Sequence, residues 1–287
     1  MTRIALALLW LIHFLPRRII ASLGERLGLL MYYFGRGRIT KINLALCFPE
    51  RSAAERIALA KRHFRAVGRS ALELGLLWWG PLEQVRALVR LKGREHLDRL
   101  AGQPVILLAP HFVGLDMGGA RVGLEYKVVS MYSRQKNSAL NRVMLNSRLR
   151  FGDPVLFARQ DGLRPLIKQI RAGLPFYYLP DMDFGAKDAL FVPFFGVPAA
   201  TVTALSRLVR LTGAKVVPCI TRQLPDGYET QLYPAWEDYP GASIEDDTRR
   251  MNAFIEQRVR AMPEQYFWVH KRFKTRPPGE PSPYKKP

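Results

Sequence analysis

Five apolar residues between two prolines constrain this chain more than anything else in it: Val105-Ile106-Leu107-Leu108-Ala109, closed off by Pro104 and Pro110. The run is too short for a core helix and has no polar alternate positions. It therefore reads as a strand buried on both faces. Such strands belong to parallel sheets, and parallel neighbours need crossover helices. The chain continues in that rhythm. A glycine-rich helix with Gly114, Gly118 and Gly119 comes next, then a strand over 127–131 and a helix over 138–149. A strand over 155–158 leads to a helix over 161–172, with Leu163, Leu166, Ile167 and Ile170 as its inward stripe and Gly173 as its stop. Strands over 176–179, 215–221 and 228–232 and helices over 201–212 and 245–261 complete the pattern, and Pro225-Asp226-Gly227 turns between the last two strands. Upstream, Ser52 and Glu55 spell a capping box opening a long helix that runs to Trp79. The fold class predicted is α/β, a largely parallel mixed sheet flanked by helices. The tail from Arg276 is rich in Pro, Lys and Gly and reads as extended.

At 48% hydrophobic residues the chain is not disordered. It lacks the several apolar runs of roughly 20 residues that a polytopic membrane protein needs. Cys47 and Cys219 lie far apart and outside any C-x-x-C pair, so neither a disulfide framework nor a thiolate metal site is expected. Reduced thiols in a cytosolic environment are the default. The 44 Lys+Arg against 24 Asp+Glu leave a net +20, which calls for polyanionic company. No zinc-finger spacing, RNP-like aromatic motif or basic zipper accompanies the charge, and the arginines are interleaved with Leu, Ile, Phe and Trp. An anionic membrane surface is the expected partner and nucleic acid is not. A solvated basic surface without a specific partner is the alternative.

The N-terminal segment sharpens this. Residues 4–15 form an apolar run broken only by His13; Pro16-Arg17-Arg18 interrupts it, and a second run reaches Phe34. Twelve helical residues span only about 18 Å, short of the roughly 30 Å hydrocarbon core. No small-x-small cleavage site follows. Two interfacial helices or a short re-entrant anchor fit the pattern, the alternative being an apolar helix packed on the domain. Residues 1–69 hold 13 Lys+Arg and 3 acids, a net +10, which suits the cytoplasmic face of a membrane.

In parallel sheets, sites gather beyond the C-terminal ends of strands. There the first clear core strand delivers His111, followed at five residues by Asp116. An imidazole is a usable base at neutral pH. With His111 on the strand-to-helix turn and Asp116 in the first helical turn, the carboxylate reaches the ring, fixes its tautomer and stabilises imidazolium. A satisfied structural histidine is the competing reading.

The stretch His111-Phe112-Val113-Gly114-Leu115-Asp116 resembles the H-x4-D motif of the glycerolipid acyltransferase superfamily, and more closely that of the lauroyl/myristoyl acyltransferases of lipid A biosynthesis. Asn43 to Glu50, Arg159-Gln160-Asp161, Pro180 to Gly185, Phe191 to Gly196 and Pro263 to Pro277 are similar to further blocks of that family, in order along nearly the whole chain. The resemblance implies an enzyme on the cytoplasmic face of the inner membrane. Its substrates would be acyl carrier protein, as thioester donor, and a hydroxyl on a primary acyl chain of a lipid A precursor. It implies His111 as general base with Asp116, no covalent acyl-enzyme, no cofactor beyond the donor, and no metal. A metal site built from His111, Asp116, Asp181 and Asp183 is the minor alternative. Residues 1–34 would be the membrane anchor and 35–287 the acyltransferase domain. Arg134 and Arg159, each just after a strand, are candidates for binding substrate phosphate or the developing oxyanion, as is a backbone N–H near Val113 and Gly114. Asp181 and Asp183 follow another strand and face the site, holding these arginines or the substrate. Phe191, Phe194 and Phe195 would wall an acyl channel, dip into the membrane or simply pack in the core. Trp78-Trp79 reads as an interfacial belt or a buried helix end. Two other functions stay open: acylation of glycerol phosphate or lysophosphatidate, and a non-enzymatic basic lipid-binding protein.

Overall fold

The structure, a computed structural model, describes residues 2–285. It opens with helices. α1 (Thr2–Ile12) buries no residue, and α2 (Arg17–Phe34) turns Ile20, Gly24 and Gly28 inward. α3 (Gly37–Cys47) follows, and then α4 (Ala53–Trp79), whose start carries the expected capping box in full: Ser52 Oγ accepts from Glu55 N at 3.2 Å, and Ser52 N donates to Glu55 Oε2 at 2.7 Å. α2 lies on α4 at backbone contact. A Cβ on Gly68 would come within 2.2 Å of Gly24 O, and one on Gly28 within 1.9 Å of Phe64 O. The boundary expected at residue 34 therefore does not fall at a break in packing; α2 is built into the body, and α1 rests on α4, where a Cβ on Gly75 would lie 3.0 Å from Leu9 O. Among the described residues no helix is long and apolar enough to cross a membrane. Ile4, Leu8, Leu11 and Phe14, then Ile19, Leu23, Leu27, Leu30 and Phe34, leave an apolar row exposed along these two helices.

The sheet then forms. α5 (Leu82–Leu88) leads to β1 (Val89–Lys92), α6 (Arg94–Asp98) to β2 (Val105–Leu108), α7 (Leu115–Gly123) to β3 (Val129–Tyr132), and α8 (Ser138–Leu149) to β4 (Val155–Ala158). α9 (Arg164–Arg171) precedes β5 (Phe176–Tyr178). A hairpin of β6 (Ala189–Phe194) and β7 (Val197–Val202) comes next, then α10 (Ala204–Thr212), β8 (Lys215–Leu224), β9 (Gly227–Leu232) and α11 (Ile244–Ala261). Seven strands stand in the order β1-β9-β8-β2-β5-β3-β4. The five from β8 to β4 are parallel; β9 returns antiparallel to β8, and β1 runs parallel to β9 at the edge. All four residues of β2 are buried, as its apolar run requires.

Three elements depart from the sequence reading. β1 was not expected, although Val89-Arg90-Leu91-Lys92 alternates apolar and basic residues as a half-buried strand does; four residues are too few for that pattern to stand out. The helix expected over 161–172 begins at Arg164, since Gly162 at φ 80° breaks the chain after a single turn of 3-10 helix. The segment around Phe191 to Val197 is a strand pair rather than a loop. Its turn places Phe195 (φ 53°) and Gly196 (φ 73°) in the left-handed region that tight hairpins demand, while Pro193 and Pro198 sit opposite each other in this two-stranded ladder. Phe194 and Phe195 are buried and pack with Phe48 and Trp268 in the main core.

Candidate active site

β2 and β5 are sheet neighbours, so the residues that leave their C-terminal ends emerge side by side. Ala109 N extends the ladder to Tyr178 O at 2.8 Å. One residue past Pro110 stands His111; one past Pro180 stands Asp181. The carboxylate of Asp181 accepts from the His111 backbone N at 3.0 and 3.2 Å and sits 2.7 Å from His111 Nδ1. A carboxylate only accepts, so Nδ1 carries the proton and Nε2 presents its lone pair. Nε2 has no hydrogen-bond partner among the described residues, and the side chain is 20% exposed. Phe267 stacks beside the ring at 6.3 Å and 30°.

Burial pulls the His111 imidazole down. The charge and hydrogen bond of Asp181, joined by the charge of Asp116, outweigh it and raise the ring above its ordinary value. Burial likewise pushes Asp181 up, but the charge and bonds of His111 and the charge of Arg272 hold it below the usual carboxylate range.

Asp116 is thus near but not where the motif spacing suggested. It lies exposed in the first turn of α7, and the Nδ1 position belongs to Asp181. The reason is topological. A strand neighbour is brought closer to a strand end than the turn of a helix that has already swung onto the sheet face. Asp181 in turn is 2% exposed and spent on His111, so it does not hold substrate. Asp183 does not face substrate either. Its fully buried carboxylate accepts from Thr275 N at 2.7 Å, Thr275 Oγ1 at 2.8 Å and Gly185 N at 2.9 Å. Arg134 and Arg159 follow β3 and β4 at the same end of the sheet as His111, and both are exposed. Arg134 lies 3.6 Å from Asp161, and Arg159 stacks 4.2 Å over Phe184.

The sequence reading missed how the motif is held. The C-terminal block pairs with it as a strand would: Val113 N donates to Gln265 O at 2.9 Å and Phe267 N to His111 O at 3.0 Å. Val113 is therefore not a free oxyanion donor, whereas Gly114 N has no partner among the described residues. Ser70 on α4 bonds Val113 O, and His63, fully buried, bonds Glu264 O at 2.9 Å. Burial, offset in part by that bond, lowers His63 to about 4. Asn43 grips Trp268 O and His270 O at 2.7 and 2.8 Å. The helical partners could not be paired with the C-terminal block from sequence, because they lie about 200 residues away.

Gly114 and Gly118 let α7 lie flat on β8 and β9; a Cβ on Gly118 would come 1.9 Å from Thr221 Oγ1. Beneath the other side of α7 runs a mainly apolar cavity of about 160 Å³. Leu115, Asp116, Met131 and Leu179 line it near the C-terminal ends of the strands, and Gly123, Val128, Phe151 and Pro154 near their starts. Trp78, on the last turn of α4, lines its outer wall. Phe191, Phe194 and Phe195 take no part in it. Both thiols are buried, and burial pushes Cys219 up to about 12 and Cys47 well above its ordinary range, so neither is an activated nucleophile. No group of three or more metal-ligating side chains occurs among the described residues.

A histidine–carboxylate pair with Nε2 free suits general-base chemistry, an apolar cavity is lined by Leu115 and Asp116 of the same motif, and comparison with known proteins gives the class: an O-acyltransferase. The model of the bacterial lipid A biosynthesis acyltransferase family matches residues 1–275, and the chain belongs to this family. The lipid A biosynthesis lauroyltransferase of Escherichia coli (strain K12) is 35% identical over 291 residues, covering 99% of this chain and 94% of the relative. The myristoyltransferase of the same organism is 37% identical over 276 residues, covering 93% and 84%. A crystal structure of a 1-acyl-sn-glycerophosphate acyltransferase from Thermotoga maritima covers 83% of this chain and 97% of that one at 14% identity and a TM-score of 0.41, too remote to carry a residue role across.

Proposed function

We propose that the protein transfers a fatty acyl chain from the thioester of acyl carrier protein to a hydroxyl on a primary acyl chain of a lipid A precursor, at the cytoplasmic face of the inner membrane. The observation that carries the mechanism is the His111–Asp181 pair with Nε2 free. The acceptor hydroxyl donates to Nε2, which takes its proton as the oxygen attacks the thioester carbon. Asp181 stabilises the imidazolium and holds its orientation. Negative charge grows on the thioester oxygen, where Gly114 N–H, Arg134 or Arg159 supplies a donor. Collapse expels the carrier thiolate, which recovers the proton from His111. The transferred chain lies in the cavity under α7. The scheme needs no cofactor besides the donor.

The exposed apolar row on α1 and α2, with the basic charge around it, supports attachment to an anionic membrane. Asp116, on the cavity wall beside a base it helps raise, serves as an electrostatic aid rather than as the orienter. Lipid A from cells with and without the protein, compared by mass spectrometry, tests the reading: a difference of one acyl mass supports it, and identical spectra refute it. The direct-transfer step is checked separately. A Cys47→Ala, Cys219→Ala double variant is expected to stay active, and intact-protein mass spectrometry should show no acyl adduct when donor is supplied alone.

A further inference from the structure

The other flank of the sheet carries a second feature, which the transfer chemistry does not use. On β8 and β9, Thr221 and Thr230 face α7 and share a hydroxyl bond of 3.0 Å. Side chains alternate across a strand, so Arg222, Glu229 and Gln231 face the opposite side, toward the C-terminal end of α11. With Lys92 and Arg258 they line a cleft of about 350 Å³.

Its charges are unbalanced. Glu229 accepts from Arg222 Nη2 at 2.6 Å and Nε at 3.0 Å, and lies 2.8 Å from Lys92 Nζ. The Lys92 bond, ahead of opposing burial and of Arg222, keeps its carboxyl below the usual range. Glu229 thereby fixes two cations to the wall, and Arg258 makes a third. Arg258 donates to Tyr233 Oη at 3.2 Å and lies 5.4 Å over the rings of both Tyr233 and Phe254. Its Nε is buried without an acceptor, and no carboxylate forms an ion pair with it among the described residues. Arg258 is half-buried, and a guanidinium partly withdrawn from water with no anion beside it gains from an arriving oxyanion.

The register says where the cleft stands. Pro218 pairs with Leu108 at the end of β2, so Arg222 lies beyond that end, level with the loop of His111. β9 and β1 are two and three strands from β2, which sets the cleft about 10 to 14 Å across the same end of the sheet. Gln265 spans the interval: it exchanges bonds of 2.6 and 3.0 Å with the Gln223 backbone and accepts from Val113 N.

We propose that this cleft binds a phosphate-type oxyanion with Arg258 as its principal ligand, and that the phosphorylated sugar head group of the acceptor occupies it while the acyl hydroxyl lies at His111. The planar fork of arginine suits such an anion, and a spacing of one sugar unit or two suits a head group joined to the reacting chain. The head-group assignment rests on the proposed function; the anion site does not.

Two arms test it on the full-length protein. Calorimetry with inorganic phosphate and pyrophosphate should show binding that weakens at least tenfold in Arg258→Gln and recovers in part in Arg258→Lys, which keeps the charge. In turnover, Arg258→Gln should raise KM about ten- to a hundredfold for a phosphorylated acceptor, as loss of a charge-assisted bond does, while kcat moves less than twofold. An acceptor stripped of phosphate should show a high KM in wild type and variant alike. An equal KM rise on both acceptors would make Arg258 a packing residue and overturn the proposal, as would unchanged phosphate binding in Arg258→Gln. Arg258-dependent phosphate binding with no KM effect would assign the cleft to free anions and overturn the head-group part. Phosphate binding lost in the variant while the wild type acylates no lipid would uphold the anion site and refute the proposed acceptor.

Discussion

His111 titrates between two carboxylates of unequal grip, and that inequality makes their roles separable. Because the folded ring is raised above its ordinary value near 6.5, the base form is reached only above that pH, and kcat/KM should rise with pH through the raised value. Asp181→Asn removes the charge and the bond that raise it. The rising limb should move to lower pH, and the plateau should fall by a hundredfold or more as the ring loses its orientation. Asp116→Asn removes only a distant charge, so its limb should move down by a smaller step with most of the plateau kept. His111→Ala should abolish transfer at every pH and lower the melting temperature, because the buried Asp181 carboxylate keeps only the backbone N–H of residue 111. Pre-steady-state rates across pH check all three; equal behaviour of the two aspartate variants would refute the assignment. His111 was legible in the sequence because the residues announcing it, the apolar run and its closing proline, are adjacent to it. Its partner was not, because Asp181 lies 70 residues on and becomes a neighbour only through the β2–β5 pairing.

Local signals place most of the elements. The capping box fixes the start of α4, Gly173 and Gly213 mark where α9 and α10 give out, and α8 and β4 fall where the pattern puts them. What escaped was either too short for its pattern to stand out or was settled by contacts. β1 is a strand because β9 offers it a parallel edge, and the β6–β7 hairpin overrides two prolines because its inner face completes the core. α7 has a dual duty. Gly114 and Gly118 seat it on the sheet, while Gly119 borders the apolar cavity, where an added Cβ would lie 3.3 Å from the Tyr177 ring. Gly119→Ala should therefore narrow the cavity midway and turn preference toward shorter donors. One methylene in an apolar pocket is worth roughly 10- to 200-fold in discrimination. Competition between acyl carrier thioesters of graded length measures it, and an unchanged length profile would place the chain elsewhere.

At the scale of the molecule, charge and buried histidines set the working conditions. α1 buries none of its own residues, so deleting residues 2–12 should weaken membrane attachment while the α2–α4 glycine contacts stay in place. Moderate salt should then release the remaining basic surface. A truncated protein that still sediments fully with membranes at high salt would contradict this. His63 is neutral and buried, lowered to about 4, while an unfolded histidine takes a proton near 6.5. The unfolded chain thus binds more protons between those values, and stability present above pH 6.5 is lost as pH falls toward 4, by about 3 kcal/mol from this group. His270, also lowered to about 4 by burial first and then by the charge of Arg272, acts in the same direction. His111 opposes them: its contribution is present below pH 6.5 and fades as pH rises through its raised value. Denaturant titrations at pH 7 and pH 5 should show a lower midpoint at pH 5, and a His63→Gln variant should flatten the difference. His63 bonds Glu264 O in the segment over 263–275, His270 belongs to that segment and accepts from Asp183 N, and the same segment clamps the backbone of His111. That clamp has a temporal meaning. The segment leaves the ribosome about 150 residues after His111, so the base is locked in place late in synthesis, long after its own loop has been made.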